Sequence, residues 1–103
     1  MDEKEDALEY IEEKIPNEVM DKIMKSKKFK SGFIDLKVDK KYKNYEDFNG
    51  EVKTDVLAGK KKIGEITFDI KQKPITVEDI TNNDAKCFEN YVESIKVLNY
   101  KVF

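Results

Sequence analysis

The chain of 103 residues has no arginine, no histidine and no tryptophan, and it has a single cysteine, two prolines and four glycines. All twenty of its cationic residues are lysines. Without histidine it lacks the usual general base near neutral pH and the commonest metal ligand. Without arginine it lacks the planar fork that grips carboxylates, phosphates and guanine edges. The lone Cys87 excludes an internal disulfide and leaves zinc without a ligand set, so neither a metal nor another cofactor is expected. No apolar run approaches the roughly 20 residues that a membrane-spanning helix requires. The start, Met1-Asp2-Glu3-Lys4-Glu5-Asp6, is the opposite of the basic region of a signal peptide, and a cytoplasmic location is the expectation.

What is present is charge and isoleucine. Charged residues make up 41% of the chain and hydrophobic ones 39%, with ten isoleucines and eleven Phe or Tyr to build a core that a disordered tail would lack. The length suits one domain, 1–103, with 1–15 as an acidic helical arm. The excess of Lys, Asn and Ile without Arg fits an AT-rich genome, such as that of a phage or mobile element. Charge is segregated along the chain. Residues 1–13 carry seven acids against Lys4, and residues 14–30 carry six lysines against Glu18 and Asp21. Adjacent blocks of opposite sign can neutralise each other on folding.

Ala7, Leu8, Ile11 and Ile15 recur at helical spacing, with acids in the first turn to suit the helix dipole. Glu5, Glu9 and Glu13 stand four apart and repel, so this helix needs docking to persist. Pro16 interrupts the pattern, and a second helix follows to about Lys27 with Val19, Met20, Ile23 and Met24 on one face. From Gly32 the period becomes two. Ile34, Leu36 and Val38 predict one strand, Val52, Thr54 and Val56 a second, and Ile66, Phe68 and Ile70 a third. Gly59 supplies a tight turn, and Pro74 closes the third strand. Ala85, Phe88, Tyr91, Val92, Ile95 and Leu98 then form a helical stripe, introduced by Asn82, Asn83 and Asp84 as capping residues and ending near Asn99. Tyr100 to Phe103 are a tail or a fourth edge strand. The expected fold is α+β, a two-layer sandwich of order α-α-β-β-β-α, with a three-stranded antiparallel meander and helices on one face.

No catalytic residues are expected. Acid neighbours such as Glu12/Glu13, Glu46/Asp47 and Glu78/Asp79 point apart on a helix or strand. Cys87 has only Lys86 as a neighbouring cation and reads as a small buried hydrophobe. The run Gly59-Lys60-Lys61-Lys62-Ile63-Gly64 lacks the spacing of a phosphate loop and joins two strands.

Two kinds of partner fit what remains. Nucleic acid is the alternative partner, through Lys60, Lys61 and Lys62 at a hairpin tip and Lys40, Lys41 and Lys43 after the first strand. With the first helix set aside, the element order is similar to that of double-stranded-RNA-binding domains. Those domains open their last helix with Lys-Lys-x-Ala-Lys. Here Asn82-Asn83-Asp84-Ala85-Lys86 replaces both leading lysines and adds an acid, so the resemblance stops at element order. An unknown protein is the favoured partner. The connection from Lys40 to Gly50 is long for a hairpin and carries Tyr42, Tyr45 and Phe48 framed by charge, the composition of an interface hot spot. Its alternative role is a clasp that tucks those rings under the sheet. The acidic first helix, with Glu5, Glu9 and Glu12, is a second contact surface, unless it docks on the chain's own lysines between 22 and 30. The expected function is therefore a small non-enzymatic interaction module that acts by steric binding, as an inhibitor, adaptor or regulatory subunit. A homodimer through a free strand edge is a further arrangement open to such a sheet.

Overall fold

The computed structural model describes residues 3–29, 32–43, 45–73 and 88–103. Helix α1 (Glu3–Glu13) and helix α2 (Asn17–Met24) are followed by strands β1 (Ile34–Lys37), β2 (Gly50–Ala58) and β3 (Lys61–Gln72). One helical turn, α3 (Phe88–Tyr91), leads directly into β4 (Val92–Val102). The four strands form one antiparallel sheet in the order β1-β2-β3-β4. The expected α+β class holds, but the order is α-α-β-β-β-α-β and the meander has four strands.

Pro16, with φ −59° and ψ 145°, stands in extended backbone and marks the end of one helix and the start of the next. Ala7 and Ile11 of α1 are fully buried, as are Val19 and Ile23 of α2 to within a few per cent. These side chains cover Val52, Thr54, Val56, Ile66, Phe68 and Ile70, all at 0–1% exposure, on one face of the sheet. The alternation in β1, β2 and β3 thus sets the core face as the sequence predicts. Thr54, the polar member of that layer, donates its hydroxyl to the Ile66 carbonyl at 2.9 Å. Gly59, at φ +66°, and Lys60 make the two-residue turn between β2 and β3, and a glycine at the first position suits the II′ type.

The expected last helix is corrected. Among the described residues of that segment only Phe88–Tyr91 is helical, and Val92–Val102 pairs with β3 over its whole length. Lys71 faces Ser94 while Gln72 faces Val92, which leaves Glu93 as an extra residue. Thr67 faces Asn99 while Phe68 faces Val97, which leaves Leu98 as another. These two bulges space the core-side residues Val92, Ile95, Val97, Tyr100 and Val102 by three, two, three and two, which imitates a helical stripe. Leu98 leaves that stripe and stands 52% exposed. Tyr100 to Val102, read as a tail or an edge strand, are the end of this edge strand. The expected caps Asn82, Asn83 and Asp84, the strand-closing Pro74 and Cys87 lie outside the described residues.

Candidate functional site

The aromatic connection is the first sequence candidate, and the structure places it in the core. Tyr42 is 9% exposed, Tyr45 6% and Phe48 0%. Tyr42 stacks on Phe48 with centroids 5.4 Å apart, and Tyr45 stacks on Tyr91 at 5.8 Å. Phe48 also meets Phe88 edge-on at 6.1 Å. A 3-10 turn at Tyr45–Asp47 bends the chain inward, and the Gln72 amide at the end of β3 donates to the carbonyls of Tyr45 and Phe48 at 2.8 and 2.7 Å. Asp39 and Asp47 accept from the backbone N–H groups of Lys41 and Lys43 at 2.9 and 2.7 Å. The three rings expected as an exposed hot spot are instead a clasp. Their apolar surface is already satisfied by α3 and the sheet, which leaves little for a partner.

The lysine candidates do not converge. Lys60 and Lys61 lie at the β2–β3 turn, beside the start of β1, because β1 and β2 run antiparallel with Ile34 opposite Ala58. Lys40, Lys41 and Lys43 follow the other end of β1, where Lys37 faces Asp55. At about 3.3 Å per residue, five residues separate the level of Asp55 from the turn at Lys60, or roughly 17 Å. Lys62 is engaged as well, with its Nζ 3.1 Å from Asp55 and 3.2 Å from Glu65. Glu65 also pairs with Lys53 at 2.8 Å. Hydrogen bonds from Lys53 and then Lys62 hold the Glu65 carboxyl below its ordinary range, and the bonds to Asp55 and Glu65 push Lys62 up. This lattice neutralises the outer face of the sheet with the acid–lysine alternation seen in the sequence.

The acidic helix is different. α1 is held by its apolar stripe and by Tyr10, which meets Phe88 edge-on at 5.8 Å, and among the described residues no ion pair joins it to the lysines between 22 and 30. Of those lysines, Lys22 donates to the Tyr100 hydroxyl at 2.7 Å and Lys28 lies over the Phe103 ring, both at the β4 edge of the sheet, opposite β1. The carboxylates of α1 face the other way. Glu5, Glu9 and Glu12, spaced four and three apart, stand on the face of α1 that overlooks β1.

Between α1 and β1 runs an open trough, made of two adjoining depressions of ≈ 570 and ≈ 550 Å³ that share Glu9, Glu12 and Asp35. Leu8, Leu36 and Val38 line one end with Lys4, Lys37 and Lys40. Glu13, Ile15, Met20 and Phe33 line the other. At that second end Glu9, Glu12, Glu13 and Asp35 meet, and among the described residues none of them is in an ion pair with lysine. Burial, then Asp35, Glu9 and Glu13, raises the Glu12 carboxyl above its ordinary value. Phe33 projects at this end with 91% of its surface exposed.

Asp35 and Phe33 were not singled out by sequence reasoning, which named a free strand edge only as a route to a homodimer. The first strand of a meander is necessarily an edge, and that was the signal available. Among the described residues no group of acids is arranged to hold a metal ion, and no helix is long and apolar enough to cross a membrane. Comparison with protein-family models, curated proteins and solved structures finds no match to this chain.

Proposed function

We propose that this protein is a non-enzymatic interaction module that acts by steric binding to a partner protein, with the trough between α1 and β1 as its contact surface. The observation that carries this reading is the acidic end of the trough. There Glu9, Glu12, Glu13 and Asp35 converge beside an exposed Phe33, with no lysine of the chain in an ion pair with any of them among the described residues. Folding leaves these charges crowded, and a complementary surface relieves that crowding on binding. Of the two surfaces expected from sequence, the acidic helix therefore takes precedence over the aromatic connection. Inhibition, adaptation and regulation of a larger enzyme are all served by such occlusion.

The test is a pull-down from source-organism extract, in nuclease-treated and untreated halves, with the unaltered chain, a Glu9→Lys/Glu12→Lys variant and a Lys60→Glu/Lys61→Glu variant. The expected result is a stoichiometric protein that survives nuclease and is lost only with Glu9→Lys/Glu12→Lys. Recovery of nucleic acid that is lost with Lys60→Glu/Lys61→Glu would reject the reading in favour of phosphate binding at the hairpin turn.

A further inference from the structure

Both edges of the sheet lack a partner strand among the described residues, and the two edges are unlike. β4 is interrupted by bulges at Glu93 and Leu98, a device that disfavours pairing with another chain. β1 runs in unbroken register with β2 from Ile34↔Ala58 to Lys37↔Asp55. Its outward backbone N–H and C=O groups have no strand to meet, and they open into the trough. The trough thus joins a regular strand edge on one side to a helix wall on the other.

We propose that β1 receives an extended, lysine- or arginine-bearing segment of a partner protein as a fifth strand of the sheet. This rests on the trough as the contact surface and names what enters it. Backbone pairing to β1 holds the segment, and its side chains alternate between the two sides of the sheet. Those on the helix side lay their aliphatic stems along Leu8 and Leu36 and set their charges at Glu9 and Glu12. Phe33 flanks the acidic end of the trough, beyond Glu9 and Glu12, as an exposed aromatic contact. A second copy of this chain fits less well. A two-fold pairing of β1 with β1 would bring the acidic trough of one copy, with its Glu9, Glu12 and Asp35, beside that of the other, and like charges oppose that approach.

The test uses the full chain and end-blocked six-residue peptides, one alternating lysine with valine and one alternating glutamate with valine. Two further lysine peptides carry N-methyl groups on alternate amides, in one phase or the other. Titration calorimetry is expected to show at least tenfold weaker binding of the glutamate peptide. One N-methylated phase should lose binding while the other keeps it, because only one phase donates to the β1 edge. Amide hydrogen exchange should slow within Ile34–Val38 alone. Glu9→Lys/Glu12→Lys should abolish binding while the thermal midpoint holds or rises, because the variant relieves the repulsion around Glu12.

Equal binding of both N-methylated phases, or unchanged exchange in β1, would overturn strand addition and leave the trough as a side-chain contact site. Failure of every peptide to bind would also overturn strand addition, and the pull-down separately decides whether the trough binds a protein. A dimer in sedimentation equilibrium that excludes the lysine peptide would assign the edge to a second copy and overturn the proposal.

Discussion

Alanine at position 64 tests whether the chain from Val92 to Val102 is a strand. Gly64 lies in β3 opposite Val102, and an added Cβ would stand 2.6 Å from the Lys101 carbonyl oxygen and 3.6 Å from the Val102 Cα. Both are backbone atoms, so no side-chain rotation relieves the clash. The end of β4 must move by several tenths of an ångström or detach. If it moves, overpacking of this kind costs about 1–3 kcal/mol. If it detaches, the Phe103 N–H loses the Ile63 carbonyl at 2.9 Å and the Ser26 hydroxyl loses the Phe103 carbonyl at 2.5 Å. Two such bonds are worth about 1 kcal/mol each, so either route gives a similar total. Thermal and urea unfolding of Gly64→Ala should therefore show a loss of about 1–3 kcal/mol, with the midpoint falling by about 4–8 °C per kcal/mol for a domain of this size. In a helix from residue 82 to 99 nothing would cover Gly64, and the added methyl would be nearly neutral. A midpoint unchanged within error would refute the strand.

Three further outcomes follow from the clasp and the charge lattice. Phe48→Ala removes a fully buried ring and should cost about 3–5 kcal/mol by urea unfolding; a near-native midpoint would return Phe48 to the surface. Gln72→Ala loses two hydrogen bonds at about 1 kcal/mol each, and Gln72→Glu should cost more at neutral pH because a carboxylate then faces two carbonyls, with the gap narrowing in acid. Glu65 has a folded-state value below its unfolded one, so its stabilising contribution is present above the ordinary carboxylate range and lost as pH falls through the folded value. Glu12 is raised, so its contribution is present below the ordinary range and lost as pH rises through the folded value. Midpoints measured across about pH 3 to 7 should therefore show Glu65→Gln flattening the acid limb and Glu12→Gln gaining stability at neutral pH. Opposite signs would reject both assignments.

The legible parts of the fold are those where local pattern and tertiary environment agree. Ile34/Leu36, Val52/Thr54/Val56 and Ile66/Phe68/Ile70 alternate because one sheet face is covered and the other is wet, and Gly59 marks the turn between two of these strands. The C-terminal segment misled because a bulge changes the period that a strand displays. Glu93 and Leu98 each add a residue, and the core-side spacing then satisfies a helical template that the described residues meet only from Phe88 to Tyr91. Val92, Ile95, Val97 and Val102 are all β-branched, and that preference for strand was outweighed in the reading by spacing. At the candidate site, composition pointed to Glu5, Glu9 and Glu12, whereas Asp35 and Phe33 became relevant only when α1 was set beside the edge of β1. Tyr42, Tyr45 and Phe48, framed by charged residues, left a surface hot spot and a buried clasp both open from sequence, and the 3-10 turn at Tyr45–Asp47 accompanies the burial of all three rings.

The segregation of charge along the chain survives folding, and that bears on the proposed contact surface. Adjacent acidic and basic blocks at residues 1–13 and 14–30 would be expected to fold onto one another. Pro16 instead starts a new helix, and lysines of the second block turn toward Tyr100 and Phe103. Lys53 and Lys62 are engaged by Asp55 and Glu65 on the outer face. Lys22, Lys28, Lys53 and Lys62 are thereby engaged away from the α1 carboxylates, while burial and mutual repulsion raise Glu12. A surface made for binding consists of what folding leaves unsatisfied, and here two unsatisfied features share one side of the molecule: a strand edge without a partner and a row of carboxylates without an ion-paired lysine among the described residues. A chain that supplied only the edge would select any extended peptide, and one that supplied only the acids would attract any cation. Together they demand extended backbone and positive charge in the same segment, and on the proposed reading that gives a chain without arginine or histidine a means to discriminate among partners.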